Sequence, residues 1–317
     1  MSAQKPSEYL ISSGDEPRVY QAFSTDDLMG YHGGLMARQL TATDEVRYML
    51  YSPIMEGEST PFGFIGEAAS HGLAVTDSRF IITRNRHVEG VSLTATSIPF
   101  SKVLRIDLGE AHMMGWLAIR FADRGKAATK TILHKTTGAE FFAEAIGEYR
   151  KAIHPGIRHL RGQDQAGWGH SVGGTTRAQR LLVRLQSFAL DGERLFDAIY
   201  CRQAWTSVRR LIASQRRALT GEGVLVVTDL AVLRATREPD AKPGVRSYGI
   251  NFTFIGRHVV RAAELASQSA GGKRLSVLRL VLAAGGAEET VEAPFDDACR
   301  PQAQQIIGRL AGSNRHD

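Results

Sequence analysis

The sequence predicts a mainly β chain built from two similar units, each closed by an α-helix. Three observations carry this. Two apolar strand pairs share a Thr-Asp turn: Gly72-Leu73-Ala74-Val75-Thr76-Asp77 leading to Arg79-Phe80-Ile81-Ile82, and Val224-Leu225-Val226-Val227-Thr228-Asp229 leading to Ala231-Val232-Leu233. The two turns stand 152 residues apart, about one domain length. Further strand-like runs follow both pairs in the same order, and each series ends in a stretch with helical periodicity.

Taken along the chain, residues 1–40 hold Tyr20, Phe23, Leu28, Met29, Tyr31 and Leu35, too apolar for a free tail, and read as an arm packed on a domain. Glu45-Val46-Arg47-Tyr48-Met49-Leu50-Tyr51 precedes the first strand pair as Glu193-Arg194-Leu195-Phe196-Asp197-Ala198-Ile199-Tyr200 precedes the second. In each turn an Asp can bond its own backbone, and β-branched neighbours favour strands. Ser97-Ile98-Pro99-Phe100-Ser101-Lys102-Val103-Leu104-Arg105-Ile106 follows, with a less similar counterpart from Ile250 to Val260. Trp116–Phe121 and Leu275–Leu282 are then strands with partial alternation.

The first closing helix places Phe142, Ala145, Ile146, Tyr149 and Ile153 on one stripe, bracketed by Gly138 and by His154-Pro155. The second places Cys299, Ala303, Ile306, Ile307 and Leu310 likewise. Asp296 and Asp297 suit its N-terminus, Pro301 its first turn and Gly312 its stop. Between the units, residues 154–178 hold Pro155, Ser171 and six glycines, the composition of a linker, and Arg177 to Leu185 reads as a short helical lead-in. Each unit is therefore expected to be a small antiparallel barrel or roll of about seven strands, its open end covered by the helix.

The Ala74–Ile82 hairpin, the Ile98-Pro99-Phe100-Ser101-Lys102-Val103 strand and the helix after Gly138 together resemble the pleckstrin-homology-like domains of bacterial PH and GRAM families. The resemblance covers roughly residues 41–155 and 187–312; residues 247–260 lack the Pro of the first copy. It implies an N-terminal arm (1–40), a first PH-like domain (41–155), a Gly-rich linker and lead-in (156–186), a second PH-like domain (187–312) and a short tail (313–317). It also implies a bacterial protein, and partners that are other proteins or further copies of the chain, since families of this fold oligomerise.

Composition bounds the function. The 317 residues are 43% apolar and 23% charged, as in an ordinary globular chain. No apolar run reaches the length of a membrane-spanning helix, and the start, MSAQKPSEYL, lacks the apolar core of a secretory leader. Two cysteines, Cys201 and Cys299, are too few for a disulfide scaffold, so a reducing, cytoplasmic setting is expected. The net charge of +6 is uneven: residues 1–153 hold 16 basic and 18 acidic side chains, residues 154–317 hold 23 and 15. A basic half concentrates anions. The use of 31 Arg against 8 Lys, with 32 Gly, is also what a biased genome composition produces.

Catalytic and cofactor motifs are not found. His154 and His159 flank Pro155 and Gly156 and do not share a helix face, and the other histidines are scattered, so no metal site is expected. Gly271-Gly272-Lys273 is followed by Arg274 and preceded by Ser267, which breaks the phosphate-loop pattern; Gly221-Glu222-Gly223 reads as a turn. No Gly-x-Ser-x-Gly elbow is present. No cofactor is expected.

One stretch stands out. Between Cys201 and Ala218 there are five arginines and no acid: Arg202, Arg209, Arg210, Arg216 and Arg217. On a helix, Arg202, Arg209 and Arg216 would repeat every seven residues, and Arg210 and Arg217 one position over, opposite a stripe of Ala204, Ser207, Val208, Leu211 and Ile212, with Trp205 as an interfacial anchor. On a strand pair, the same arginines would be an outward, solvated face. The corresponding region of the first unit, Met55 to Ser70, carries Glu56, Glu58 and Glu67 and no base. In PH domains, basic residues after the first strand commonly hold lipid headgroups, so the resemblance makes Arg202–Arg217 the candidate anion-binding residues.

The function expected is a non-catalytic interaction or scaffold module in the bacterial cytoplasm. Two alternatives stand beside it. One is anionic-lipid or phosphate-ligand binding through the arginines, which would place the chain peripherally at the inner membrane. The other is an enzyme with a site between the units, using groups such as Asp107, His112 or Arg120. Nucleic acid is not an expected partner, since the arginines lack interleaved aromatics.

Overall fold

Apolar runs with β-branched residues dominate the chain, and they form antiparallel strands. The computed structural model describes residues 18–55, 58–60, 63–65, 69–86, 92–155, 176–201, 204–209, 214–238, 249–270, 273–295 and 297–313. In the first half they give β1 (Tyr20–Gln21), α1 (His32–Gln39), β2 (Val46–Met55), β3 (Glu58–Thr60), β4 (Gly63–Ile65), β5 (Ala69–Thr76), β6 (Arg79–Arg86), β7 (Ser92–Pro99), β8 (Val103–Ala111), β9 (Met114–Asp123), β10 (Lys126–Lys135) and α2 (Ala139–Ala152). In the second they give α3 (Thr176–Gln186), β11 (Leu195–Cys201), β12 (Ala204–Arg209), β13 (Ser214–Thr220), β14 (Gly223–Thr228), β15 (Ala231–Arg237), β16 (Ile250–Gly256), β17 (Val260–Ala270), β18 (Lys273–Ala284), β19 (Ala287–Phe295) and α4 (Arg300–Ser313).

The sheets are open, and this corrects the expected barrel. A five-stranded sheet runs β1-β2-β5-β6-β7, a seven-stranded sheet β10-β9-β8-β16-β15-β14-β11, and a three-stranded sheet β17-β18-β19. β3-β4 and β12-β13 are separate two-stranded ladders. Barrel closure needs the last strand to bond back to the first, and here each sheet ends in edge strands.

The chain forms two compact units. One comprises Met1–Val103, Glu110–Ala118 and Lys130–Gly156; the other comprises Leu104–Gly109, Ile119–Thr129 and Ile157–Asp317. In the first, Leu28 and Met36 from the arm pack with Met49, Tyr51, Ala74 and Ile81. The arm thus adds strand β1, with Tyr20 opposite Tyr51, and helix α1. A second cluster joins Ala111, Met114, Trp116 and Leu133. The second unit holds one larger core, which includes Leu225, Val232, Leu278, Leu280, Ala303, Ile306 and Leu310.

Both closing helices bury an apolar stripe, and the second supplies Ala303, Ile306 and Leu310 to the core of its unit. Phe142 and Ile306 are both fully buried. Phe142 stacks on the His134 ring with centroids 4.2 Å apart, and Gly115 lies beneath that ring, where a Cβ would come within 2.2 Å of it. α2 starts after Gly138 and stops at Ala152, short of Pro155. Two details of α4 differ from expectation. Cys299 precedes the helix in a 3-10 turn (Asp297–Cys299), and the helix runs through Gly312 to Ser313. A helical Gly costs only about 1 kcal/mol relative to Ala, so one glycine does not by itself end a helix. Asp297 accepts a hydrogen bond from Ser276, and Asp296 lies outside the described residues.

Candidate functional site

The two Thr-Asp turns share one construction. Thr76 Oγ1 accepts from the backbone N–H of Ser78 (3.2 Å) and Arg79 (3.0 Å) and meets the Arg79 carbonyl at 3.1 Å. Thr228 Oγ1 accepts from Leu230 (3.2 Å) and Ala231 (2.9 Å) and meets the Ala231 carbonyl at 3.1 Å. Both threonines are fully buried. The threonines, rather than Asp77 or Asp229, bond these turns. The Asp residues give backbone N–H bonds to Glu45 O and Arg194 O, which tie each turn to the preceding strand. That strand carries the same bulge in both halves: Val46 and Tyr48 face Thr76 and Val75, and Leu195 and Asp197 face Thr228 and Val227.

The carboxylates beside the turns differ. Asp44 pairs with Arg79 at 2.6 Å, and those hydrogen bonds hold its carboxyl down at about 2. Glu193 is buried and accepts from the Thr228 hydroxyl at 2.6 Å and the Leu190 N–H at 2.8 Å. Both roles are structural.

The arginine-rich stretch is a β-hairpin. β12 and β13 pair antiparallel with Thr206 opposite Arg217, Ser207 opposite Arg216 and Arg209 opposite Ser214. Arg202 and Arg210 lie outside the described residues. The seven-residue spacing is therefore no helical stripe, because a strand alternates its faces every second residue. Thr206 and Val208 favour the extended form. The first half makes the matching excursion with β3 and β4, where Glu58 faces Ile65.

Asp107 and Arg120 belong to one charge network in the second unit. Asp107 accepts from the Thr253 hydroxyl at 2.6 Å and from Asn251 Nδ2 at 3.4 Å, and its other oxygen lies 3.1 Å from Arg105. Arg105 reaches Glu289 at 3.3 Å and Arg120 reaches Glu289 at 3.2 Å. Arg120 also donates to Thr129 at 2.7 Å. Charges alternate along this chain of contacts, so the arginines are spent on protein carboxylates. His112 sits in the β8–β9 turn with φ 55°, the left-handed region that a non-glycine residue seldom takes.

Sequence reasoning missed a buried polar clasp in the first unit. His32 of α1 is 1% exposed; its Nδ1 lies 2.8 Å from Thr83 Oγ1 and its Nε2 lies 2.9 Å from Ser70 Oγ. A Cβ at Gly72 would come within 2.6 Å of Thr83 Oγ1, so the missing side chain makes room for the clasp. His71 is buried beside it. Desolvation, aided by Arg84, His32 and Lys130, pushes its pKa down to about 3. Its Nδ1 has no hydrogen-bond partner among the described residues. Burial likewise pushes His134 down to about 4, against the bond its Nδ1 makes to Lys135 O at 2.8 Å. Partners separated by 38 and 51 residues leave no local signature, so only the fold brings them together.

Among the described residues, no group of three His, Cys, Asp or Glu is placed to hold a metal ion. No described helix is long and apolar enough to cross a membrane. Cys201 and Cys299 form no disulfide, and Cys299 Sγ lies 3.5 Å from the Tyr200 carbonyl. Neither a scan against protein-family models nor a search of curated proteins finds a match to this chain.

Proposed function

We propose that the chain is a non-catalytic interaction or scaffold protein built from two tandem pleckstrin-homology-like repeats. The observation that carries the reading is the recurrence of one element order. Each half runs through a helix, a long strand, an excursion hairpin, three strands, a 3-10 corner, three more strands, a second 3-10 turn and a closing helix. The shared bulge and the shared threonine turns support it at the level of single hydrogen bonds. Open sheets present rows of main-chain donors and acceptors at their edges, which is where extended partners add. The internal pairing of Asp107, Arg105, Arg120 and Glu289 supports a non-catalytic role for those groups. Two cysteines outside any disulfide suit the reducing cytoplasm.

The five arginines with no intervening acid favour a second reading, anionic-headgroup or phosphate binding on the β12–β13 hairpin at a membrane surface. Cosedimentation with phosphatidylcholine–phosphatidylserine vesicles separates the two. The scaffold reading expects the protein in the supernatant. Pelleting at about 0.1 M salt that disappears at about 1 M, where the Debye length falls from about 10 Å to 3 Å, would indicate charge-driven binding. If it were also lost in the Arg209→Gln, Arg210→Gln, Arg216→Gln, Arg217→Gln variant, the scaffold reading would be overturned. At about 1 kcal/mol per arginine near an anionic surface, the four replacements would remove about 4 kcal/mol.

A further inference from the structure

Among the described residues, two strands each end a sheet, and their counterparts in the other half are paired to each other. This rests on the tandem-repeat reading. β7 ends the five-stranded sheet, and β17 ends the three-stranded sheet. In repeat terms β7 corresponds to β16, since each pairs with the second strand of its Thr-turn hairpin in the same register: Phe80 faces Ile98, and Val232 faces Ile255. β17 corresponds to β8, since each begins directly after a 3-10 corner, at Val260 and Val103. Within the second unit, β16 lies next to β8 in one continuous sheet. The chain thus already makes once the junction for which β7 and β17 are the second pair of parts.

Burial follows this pairing. In β8, Leu104, Ile106 and Leu108 are buried, whereas their counterparts in β17 are less so: Arg261 is exposed, and Ala263 and Leu265 are half-buried. In β16, Phe252 to Ile255 are all buried, whereas of their counterparts in β7 Ile98 is buried and Ala95, Thr96 and Ser97 are half-buried. The polar contacts carry over as well. At the existing junction Asp107, four residues after Val103, accepts from Thr253, three before Gly256. The same count places Glu264 four after Val260 and Thr96 three before Pro99. Glu264 is ion-paired with Arg279 at 2.9 Å, as Asp107 is with Arg105 at 3.1 Å, so the carboxylate that would meet Thr96 is held by an arginine as its counterpart is. Thr94 falls where Asn251 supplies the second donor to Asp107. β7 carries no charged residue from Ser92 to Pro99 and no proline before Pro99, so it lacks the features that usually blunt an edge. Beside β17, a groove of about 240 Å³ is lined by Val260, Arg261, Ala262, Ala263, Leu310 and Ala311, a surface of mixed polarity.

We infer that β17 of one copy pairs with β7 of a second copy, reproducing between chains the β8–β16 junction made within the chain, with Thr96 of one copy bonding Glu264 of the next. The partner is therefore the chain itself. Because the two surfaces are different, the contact is head-to-tail, and it continues until a ring closes or a filament grows.

Sedimentation velocity and light scattering of the full chain over a wide concentration range test this. The expected result is a mass above the 34.7 kDa of one chain that rises with concentration. Thr96→Glu, which sets two carboxylates against each other, should weaken association by about tenfold or more. Glu264→Lys, at a side chain 56% exposed, should weaken it; because it also removes the Glu264–Arg279 ion pair, circular dichroism and thermal unfolding of the variant check that the fold is kept. The double variant Thr96→Glu/Glu264→Lys restores an opposite-charge pair and should recover association. A wild type that stays at one chain's mass throughout, or single variants that assemble as well as wild type, overturns the inference. Either result leaves the scaffold reading standing with a different partner, whereas arginine-dependent pelleting with vesicles overturns that reading.

Discussion

Phe142→Ala removes the side chain that fixes the first closing helix. Phe142 is 0% exposed, and its ring lies nearly parallel to His134, 19° between planes. Truncating a buried Phe costs about 3–5 kcal/mol through lost transfer energy and the cavity left behind. A well-stacked ring pair adds about 0.5–1.5 kcal/mol beyond area burial. The helix also holds Tyr48, whose hydroxyl donates to Glu144 at 2.9 Å, so little collapse into the cavity is possible without breaking that bond. The upper half of the range is expected, about 4–5 kcal/mol, a large part of the 5–15 kcal/mol by which domains are ordinarily stable. The assay is urea unfolding followed by fluorescence of Trp116, buried in the same unit, with Trp168 and Trp205 replaced by Phe. Two units make a single transition unsafe to assume, so the Trp116 signal should be fitted separately from the far-ultraviolet circular dichroism. A loss well under about 1 kcal/mol would show that the stripe does not face a core.

Further outcomes follow from the same contacts. Gly115→Ala drives a methyl into the His134 ring and should cost about 1–3 kcal/mol by overpacking, with partial relief in Gly115→Ala/His134→Ala; thermal unfolding reads both. Stability should fall on acidification. His71 and His134 have folded pKa values lowered to about 3 and about 4, so the unfolded chain binds more protons below the ordinary value of 6.5. Their contribution is complete above about pH 6.5 and declines by up to about 1.4 kcal/mol per histidine per pH unit towards pH 4, so urea midpoints at pH 7 and pH 5 should differ and His134→Phe should flatten the slope. Thr228→Val should cost more than Thr76→Val, within about 1–3 kcal/mol each, because it also strips a donor from the buried Glu193 carboxylate; a Glu193→Gln double-mutant cycle measures the coupling.

The parts of this architecture that local periodicity encodes were legible in the chain. The Thr-turn hairpins, the later strands and the stripe from Phe142 to Tyr149 all follow from spacing two or spacing 3.6. The Thr-Asp pairs marked the turns correctly, although the residue that bonds each turn is the threonine, because its hydroxyl reaches two backbone N–H groups at once. The arginine stretch was ambiguous for a physical reason. Arginines seven apart fit a helix, but Thr206 and Val208 fit a strand, and pairing with residues 214–220 decides between them. Barrel closure could not be read, since it depends on which edge strands meet. Nor could the His32 clasp, whose members come from the arm, β5 and β6.

The central claim is that the two halves repeat one topology. Amide hydrogen exchange of the full chain, read by mass spectrometry, tests this most directly. The account predicts two separate maxima of protection at equivalent positions, over residues 72–82 and 224–233, where the paired hairpin strands are buried. In dilute solution, β7 and β17 should exchange faster than their paired counterparts β16 and β8. Strong protection confined to one half, or β7 and β17 protected as well as β16 and β8 in the dilute single chain, would contradict it.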